Sequence, residues 1–361
     1  MVRRIRFRRR PKRLYENALS VMKDLFLSDI TPDEYEVDIH KQFQLSRQTL
    51  GEYVTLDWDH KREIENVIET IQNYSEDLTK TRPLNIIMIA EPGLGKSHFI
   101  KCLAKEMKNI GISEVSFNMA TIQNINDLIQ PIEAVRNLKV VDHLPLLFFD
   151  EIDSDPQNYA RLLPLMWDGE IHLGQRDLKL GKVVLIMAAS DPGIKKVMKS
   201  AKSMQSEFEA SQDNQKTKMV DLLSRINGGV IEIPQLDIAT KSRDRRIDKV
   251  CLSISLLQRK FGSYLERVPW ALLRFIAISK FRYGVRSIAH LIDLIPGNIE
   301  IEETLELKNC SLPLDDEKEL KKSSLAYHLI AEEDPETIVG SWEEISECKT
   351  LIRFERVEEE L

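Results

Sequence analysis

The stretch AEPGLGKS, residues 90–97, decides the fold. It follows the phosphate-binding pattern G-x-x-x-x-G-K-[ST], except that Ala90 stands in place of the first glycine. A short apolar run, IIMIA (86–90), precedes the loop, and the amphipathic segment HFIKCLAKEM (98–107) follows it. In the order strand, glycine-rich loop, helix, the loop amides and the helix N-terminus converge on one point, where phosphate binds. The sequence therefore predicts a nucleotide-phosphate site in an α/β domain.

Individual residues of this loop have distinct predicted roles. Gly93 and Gly95 let the backbone turn with its amides inward, because a residue without a side chain tolerates positive φ. Lys96 is expected to contact the β- and γ-phosphates, and Ser97 to offer its hydroxyl to Mg²⁺. Ala90 lies at the end of the strand, where a small residue suffices. The predicted nucleotide-binding segment is Glu91, Pro92, Gly93, Leu94, Gly95, Lys96, Ser97 and His98.

Two acids follow a second apolar segment, LPLLFFDEID (144–153). Leu146 to Phe149 are four consecutive apolar residues, as expected of a buried parallel strand. Ligand sites in open α/β sheets lie at the carboxyl ends of the strands. We therefore expect Asp150 to hold the magnesium and Glu151 to polarise the attacking water.

A further apolar strand, KVVLIMAASDP (182–192), ends in Ser190 and Asp191. A polar side chain at this end would lie near the other two strand ends. We expect one of the two residues to sense the γ-phosphate or to hold the water.

Composition and length narrow the class of protein. A chain of 361 residues is long enough for about two or three domains. Its longest apolar runs are far shorter than the roughly 20 residues that span a bilayer, so no membrane helix is predicted. The four cysteines are too scattered for a disulfide framework or a zinc site, and together with the lack of a secretory signal they favour a cytoplasmic location. They are Cys102, Cys251, Cys310 and Cys348.

The two ends of the chain carry opposite charge. Residues 1–13, MVRRIRFRRRPKR, contain seven arginines, one lysine and no acid, whereas residues 301–361 contain 18 acidic and 7 basic residues. A basic arm binds phosphates by releasing counterions, so nucleic acid is one candidate partner. The alternatives are a solvated tail, or an arm that pairs with an acidic patch on a neighbouring subunit.

Taken together, the order of these features resembles the AAA+ family of P-loop ATPases. The resemblance rests on the Walker A-like loop AEPGLGKS, the Walker B-like LLFFDEID, the strand ending in AASD, the arginine in LLSRI and the later GVRSI. It covers about residues 60–295. It implies a parallel sheet flanked by helices, followed by a small helical lid, with ATP and Mg²⁺ bound between them. It also implies a ring or spiral of subunits, that is, a homo-oligomer.

The resemblance assigns roles to further residues. Asp191 or Ser190 corresponds to the sensor 1 residue, Arg225 to the arginine finger and Arg286 to the sensor 2 arginine on a lid helix. Asn118 stands where many members keep a polar switch residue that contacts the catalytic glutamate. The predicted catalytic residues are therefore Glu151, Arg225 and Asn118.

Four regions follow from these assignments. They are a basic arm with a helical region (1–59), the nucleotide-binding α/β domain (60–235), the helical lid (236–296) and an acidic appendage (297–361). Within the α/β domain, residues 195–220 look like an insertion. In the lid, helical spacing over 240–262 and 269–295 predicts helices with no strand between them.

The function of the predicted ATPase is less determined by the sequence. Threading members of the family carry an aromatic–hydrophobic–glycine pore loop, whereas this chain reads NMATIQNIND (118–127). The segment 166–184 resembles a hairpin of remodelling and helicase-like members. In this chain, His172 and Arg176 of that segment would either face a central channel or lie on an exposed hairpin. Two classes remain open. One is an oligomeric ATPase that remodels or loads a partner protein or nucleic acid. The other is a slow ATP-dependent switch that assembles a complex with a separate effector, by analogy with stand-alone bacterial ATPases in defence.

Overall fold

The computed structural model of the chain describes residues 36–38, 50–55, 57–140, 143–173, 176–190, 193–194, 214–236, 246–261, 267–293, 304–306, 328–331 and 349–351. Several predictions lie outside these residues. They concern the basic arm 1–13, Asp191, most of the 195–220 insertion and most of the acidic appendage. The side chains of His172 and Arg176 are likewise not described.

The described elements, in chain order, begin with β1 (Glu36–Asp38), α1 (Trp58–Glu76), β2 (Leu84–Ile89), α2 (Lys96–Glu106), β3 (Ile112–Asn118), α3 (Ile129–Val140) and β4 (Leu144–Asp150). They continue with α4 (Gln157–Trp167), β5 (Glu170–Leu173), β6 (Arg176–Lys179), β7 (Val184–Ala189), α5 (Asn214–Ser224) and β8 (Gly229–Glu232). The last are α6 (Arg246–Phe261), β9 (Arg267–Pro269), α7 (Trp270–Ile278), α8 (Val285–Asp293), β10 (Thr304–Glu306) and β11 (Lys349–Leu351). Three short 3-10 helices, Lys108–Ile110, Met119–Thr121 and Ile125–Leu128, flank β3.

Five strands form one sheet in the order β3-β4-β7-β2-β8, and every neighbouring pair is parallel. The central strands β2 and β7 are buried along their whole length, LNIIMI and VLIMAA. Buried runs of this kind, which are apolar except for Asn85, fit strands covered by helices on both faces. Helices α2 and α3 contact β3 and β4, and α4 contacts α5. The predicted parallel sheet flanked by helices is confirmed.

The apolar face of α1 shows why this helix packs where it does. Ile64, Val67, Ile68 and Ile71 recur at intervals of three or four residues and are all buried. Burying each side chain contributes about 1.5–3 kcal/mol relative to leaving it in water. Residues three and four apart lie on one face of a helix, and here that face packs in the core.

The chain divides into two compact units. The described residues of the first unit fall in Asp59–Pro92 and Lys96–Pro234, which include the whole five-stranded sheet. The second unit contains Gly93–Gly95, the described residues up to Trp58 and those from Gln235 onward.

Three helices of the second unit, α6, α7 and α8, lie in the region for which the sequence predicts a lid. The expectation that no strand lies between the two helical segments is wrong, because β9 pairs antiparallel with β1. A strand of three residues, Arg267–Pro269, is too short to show alternation, and its partner lies more than 200 residues earlier. The helical spacing predicted over 269–295 corresponds to two helices, α7 and α8, with a turn at Gly284, whose φ is +53°.

The predicted hairpin after α4 is present in the backbone. β5 and β6 pair antiparallel from Glu170 opposite Lys179 to Leu173 opposite Arg176, and Gly169 before them has a φ of +64°. In the parts of the chain that the structure describes, no helix is both long and apolar enough to cross a membrane.

Candidate functional site

The glycine-rich loop leads from β2 directly into α2. Gly93 and Gly95 both adopt positive φ, +83° and +86°, a region that other residues enter only at a cost in energy. A Cβ on Gly95 would meet no atom within 4 Å, so the space beside this residue is open. The loop therefore provides the free backbone surface that a phosphate needs at the start of a helix.

Gly93 is constrained in a second way, within the second unit. A Cβ at this position would overlap the Tyr283 carbonyl oxygen. The Gly93 carbonyl also accepts a hydrogen bond from the backbone N–H of Arg286, at 3.3 Å. Glycine is thus required at position 93 for close backbone packing as well as for the turn.

Lys96 begins α2 and is only 8% exposed. Its Nζ donates to the Ser190 hydroxyl at 2.6 Å and to the Ala90 carbonyl at 3.4 Å. The same Nζ lies 3.7 Å from Oδ1 of Asp150. Because these groups come from the ends of β2, β4 and β7, the parallel sheet brings them together at one edge.

Asp150 ends β4 and lies opposite Asn118 in the register with β3. Burial raises the pKa of its carboxyl group above the ordinary value of 3.8, and the nearby Lys96 ammonium partly opposes that rise. Oδ1 of Asp150 also accepts the backbone N–H of Glu151, at 3.0 Å.

Glu151 is exposed and has a φ of +56°, the one positive φ of a non-glycine residue in the described part of the chain. This left-handed conformation costs roughly 1–2 kcal/mol. It turns the chain back toward β7, where the Ile152 N–H donates to the Ala188 carbonyl at 3.0 Å. Local hydrogen bonds of this kind can maintain a strained residue at a functional position.

Asp153 lies at the end of the turn that begins at Glu151, and the sequence predicts no role for it. Its Oδ2 accepts the backbone N–H of Ser190 at 2.8 Å. The only signal in the sequence was a third acid in DEID, two residues after Glu151. Nothing local indicates which strand such an acid contacts, because that depends on the turn at Glu151.

Asn118 lies at the carboxyl end of β3, beside Asp150. Its side chain is exposed, and its Oδ1 accepts the backbone N–H of Ala120 at 2.8 Å, capping the short helix Met119–Thr121. The structure therefore places Asn118 next to the acid-bearing strand and gives its side chain a capping role. A contact with Glu151 stays a prediction.

Arg225 follows α5 and is bound within its own unit. Its Nη1 donates to the Leu163 carbonyl at 2.5 Å, and Nη2 lies 3.4 Å from Oδ1 of Asp221. The guanidinium carbon is also 6.0 Å from the centre of the Trp167 ring. The backbone is held as well, because Asn85, which is buried in β2, donates its amide to the Arg225 carbonyl at 2.9 Å.

The remaining predicted residues are placed as follows. Ser97 is exposed in the first turn of α2, and Glu91 is exposed in the loop before it. Arg286 is exposed in the first turn of α8, in the second unit. His98 has its Nε2 3.6 Å from the Cys102 sulfur, one turn along α2.

The donor set fits a magnesium ion bound together with a nucleotide. Among the described residues no group of three or more His, Cys, Asp or Glu side chains could hold a metal by itself. Mg²⁺ is commonly held by one or two side chains, with phosphates and water completing its octahedron. Ser97 and Asp150 would be those side chains, and the Lys96 charge lies on the same side of the sheet as Asp150.

Residues 86–212 match the family model described as "ATPase family associated with various cellular activities (AAA)". No curated protein matches the chain.

Solved structures similar to this chain include the Hsp104–ADP complex of S. cerevisiae, at 15% identity and a TM-score of 0.44, over 78% of this chain and 48% of that one. NtrX from Brucella abortus is also similar. Its complex with ADP matches at 13% identity and TM-score 0.43, over 75% and 58% of the two chains. Its complex with ATP matches at 15% identity and TM-score 0.43, over 80% and 59%. The chain thus spans about half to three fifths of the length of these structures.

Proposed function

We propose that this chain binds ATP with Mg²⁺ at the loop 90–97 and hydrolyses it to ADP and phosphate, because residues 86–212 match the family model of the AAA ATPases. The observation that supports this most strongly is the position of Lys96. Its Nζ lies at the start of a helix, 2.6 Å from the Ser190 hydroxyl and 3.7 Å from the Asp150 carboxylate. A cation, a hydroxyl and a carboxylate thus meet at one edge of the sheet.

In the proposed mechanism each side chain acts on charge or position. Lys96 would exchange its present partners for the β- and γ-phosphates, and the α2 amides would bind the same oxygens. Ser97 and Asp150 would hold Mg²⁺, which neutralises phosphate charge. Glu151, exposed on its left-handed turn, would orient the attacking water. Ser190 or Asp191 would contact the γ-phosphate or that water, and Arg286 would bind the phosphates as the resemblance implies.

Nucleotide binding tests this proposal directly. Lys96→Ala is expected to weaken ATP binding by at least about tenfold, because it removes a charge-assisted contact to the phosphates. Lys101→Ala, an exposed lysine on the same helix, is the matched control and should bind as the unaltered chain does. Isothermal titration with ATP and Mg²⁺ provides the affinities. Normal binding by Lys96→Ala would place the nucleotide elsewhere.

Hydrolysis is tested separately with Glu151→Gln. This variant keeps the size of the side chain and removes its charge, so it should still bind ATP while turnover falls by about 10² or more. Phosphate release and retained radiolabelled ATP are the readouts. Unchanged turnover would exclude Glu151 as the residue that activates water.

The finer proposal is that the chain forms a homo-oligomer and couples turnover to the remodelling or loading of a partner protein or nucleic acid. The family resemblance supports assembly, and the eight basic residues in 1–13 support contact with phosphates or with acidic surfaces. We further propose a cytoplasmic location, since Cys102 and Cys251 are buried free thiols.

A slow ATP-dependent switch is the second candidate, and one observation favours it. Lys96 interacts with both Asp150 and Ser190, and Arg225 is bound to Leu163 and Asp221 of its own chain. Slow basal turnover follows if ATP and a partner must displace these contacts.

Turnover measured with and without single- and double-stranded nucleic acid separates the two candidates. Strong stimulation favours a motor, whereas near-zero turnover with ATP-dependent assembly favours the switch.

A further inference from the structure

The side chain of Asp153 connects the turn after β4 to the end of β7, beyond the last paired residues of these two strands. The paired residues of β4 and β7 end at Phe149 opposite Met187. Beyond that point, the Glu151 turn brings the Ile152 N–H to the Ala188 carbonyl. The next hydrogen bond is made by a side chain, because Oδ2 of Asp153 accepts the Ser190 N–H at 2.8 Å.

The carboxylate of Asp153 thus takes the place of a backbone carbonyl. A strand that continued past Asp150 would offer a main-chain acceptor to β7, but the left-handed Glu151 carries the main chain away. Without Asp153 the Ser190 amide would need another acceptor, since a part-buried N–H without one is unfavourable.

The Ser190 hydroxyl extends this connection to the phosphate-binding lysine. Its Oγ accepts from Lys96 Nζ at 2.6 Å, and the same Nζ lies 3.7 Å from Asp150. A chain of contacts therefore runs from Asp153 through Ser190 and Lys96 to Asp150. The two ends of this chain belong to the same short turn, and Glu151 lies between them.

From this geometry we infer that Asp153 is a positioning residue for ATP hydrolysis: it holds the end of β7 so that Ser190 and Glu151 keep a set distance across the reacting phosphate. The inference rests on the proposed function. It assigns Asp153 no contact with the nucleotide. Its loss should therefore lower kcat and leave ATP affinity and KM close to those of the unaltered chain.

The test compares two substitutions at one position. Asp153→Ala removes the acceptor and is expected to lower kcat about ten- to a hundredfold, as small misplacements in an active site do. Asp153→Asn keeps a carbonyl oxygen that can accept the Ser190 N–H, and it should recover most of the lost kcat. Hydrogen exchange of the segment 184–190, followed by mass spectrometry, should show faster exchange in Asp153→Ala alone.

Asp155→Ala is the matched control. Asp155 lies in the same turn and binds Arg161 at 3.1 Å, away from Ser190. It should lower thermal stability without lowering kcat. This control separates a loss of positioning from a general loss of stability.

The outcomes are distinguishable from failure of the proposed function. If the unaltered chain neither binds nor hydrolyses ATP, the proposed function fails. If the unaltered chain hydrolyses ATP and Asp153→Ala keeps its kcat, only the inference fails. An Asp153→Asn variant as slow as a folded Asp153→Ala would also overturn it, and so would an Asp153→Ala variant whose defect lies in KM alone. If Asp153→Ala does not fold, the Asp153→Asn variant tests the inference alone. The inference then requires that Asp153→Asn show normal hydrogen exchange over 184–190 together with a near-normal kcat, and a low kcat with normal exchange would overturn it.

Discussion

At the residue level, the partners of Lys96 are the groups with which a phosphate must compete. The Ser190 hydroxyl, the Ala90 carbonyl and the Asp150 carboxylate all lie within 3.7 Å of its ammonium group. A buried ammonium needs such partners, because an unpaired charge away from water is unfavourable. Phosphate oxygens can replace all three at once, so nucleotide binding would free Asp150 for the metal.

The pH dependence of magnesium use follows from the raised pKa of Asp150. Burial disfavours the carboxylate, so as pH falls this group takes up its proton before an ordinary aspartate with a pKa of 3.8 does. Protons and Mg²⁺ compete for the same oxygens. We therefore expect Mg²⁺ affinity, measured at fixed ATP, to fall on acidification with a midpoint above 3.8.

Asp150→Asn provides the control for this pH prediction. Its amide does not titrate, so the remaining Mg²⁺ dependence should lack the Asp150 midpoint and reflect ATP alone. A midpoint at or below 3.8 in the unaltered chain would contradict the role of burial. Affinities are measured by titrating Mg²⁺ at each pH and following nucleotide turnover.

The residue roles of the glycine loop were the part of the site most accessible from sequence. Positive φ at Gly93 and Gly95 was expected from the motif, since its amides must point inward. The close approach of Gly93 to Tyr283 was not, because it depends on residues about 190 positions away. The sequence also did not predict a role for Asp153, because its contact with Ser190 depends on the turn at Glu151 and on the order of the strands.

At the level of elements, Tyr74 connects the end of α1 to the amino end of the sheet. Its hydroxyl donates to the Arg82 carbonyl at 2.7 Å and accepts the Val183 N–H at 3.0 Å, just before β2 and β7 begin. Burial raises the pKa of this phenol to about 12. One side chain thus holds a helix and two neighbouring strands together.

Tyr74→Phe is expected to destabilise the first unit by about 1–3 kcal/mol, because the buried Val183 N–H and the part-buried Arg82 carbonyl lose their partner. The measurement is urea unfolding followed by circular dichroism. Tyr283→Phe, which alters an exposed tyrosine, should leave the free energy of unfolding nearly unchanged. Equal stability of Tyr74→Phe and the unaltered chain would show that the hydroxyl contributes nothing net.

The raised pKa of Tyr74 predicts that the free energy of unfolding depends on pH in the alkaline range. In the unfolded chain Tyr74 ionises near pH 10, whereas in the folded chain it stays protonated to about pH 12. Between these values the unfolded state binds fewer protons, so the Tyr74 contribution to stability decreases as pH rises. The difference in stability between the unaltered chain and Tyr74→Phe should therefore shrink over this range.

The elements themselves show how far local patterns reach. Short apolar runs predicted β2, β4 and β7, because a strand buried on both faces has few polar residues. The short β9 had no such pattern. Its pairing with β1 joins segments more than 200 residues apart.

At the level of the whole molecule, the role of Arg225 bears on whether the proposed ATP hydrolysis takes place within one chain or needs a neighbouring copy of the chain. In this structure its guanidinium group is bound to the Leu163 carbonyl and to Asp221. As the proposed arginine finger it would leave these partners and reach the γ-phosphate of a neighbouring copy. Such a role requires assembly, whereas a purely structural role does not.

Arg225→Ala is expected to keep ATP binding and to lose at least about tenfold in turnover. Mixing it with Lys96→Ala should restore part of the activity, since one variant keeps a working nucleotide site and the other keeps Arg225. Turnover is measured across mixing ratios, with particle mass determined in parallel with an ATP analogue. Arg136→Ala, an exposed arginine on α3, serves as the control that should not change turnover.

An absence of recovery in mixtures that form mixed particles would contradict action between copies. Recovery in mixtures that stay monomeric would contradict it equally. Thermal melting of Arg225→Ala is needed beside these assays, because the variant also loses the contact with the Leu163 carbonyl.

By itself, the sequence determined the parallel α/β class, the positive φ of the glycines in the loop 90–97 and the acids at the end of β4. These features are local, because apolar runs and glycine spacing report burial and backbone geometry within a few residues. Only the tertiary structure decided which strand ends lie together, that Ser190 binds Lys96, and that Asp153 reaches across the Glu151 turn to β7. Those contacts join residues 37 and 94 positions apart. They depend on strand order and on one left-handed residue, and neither leaves a periodic pattern in the chain.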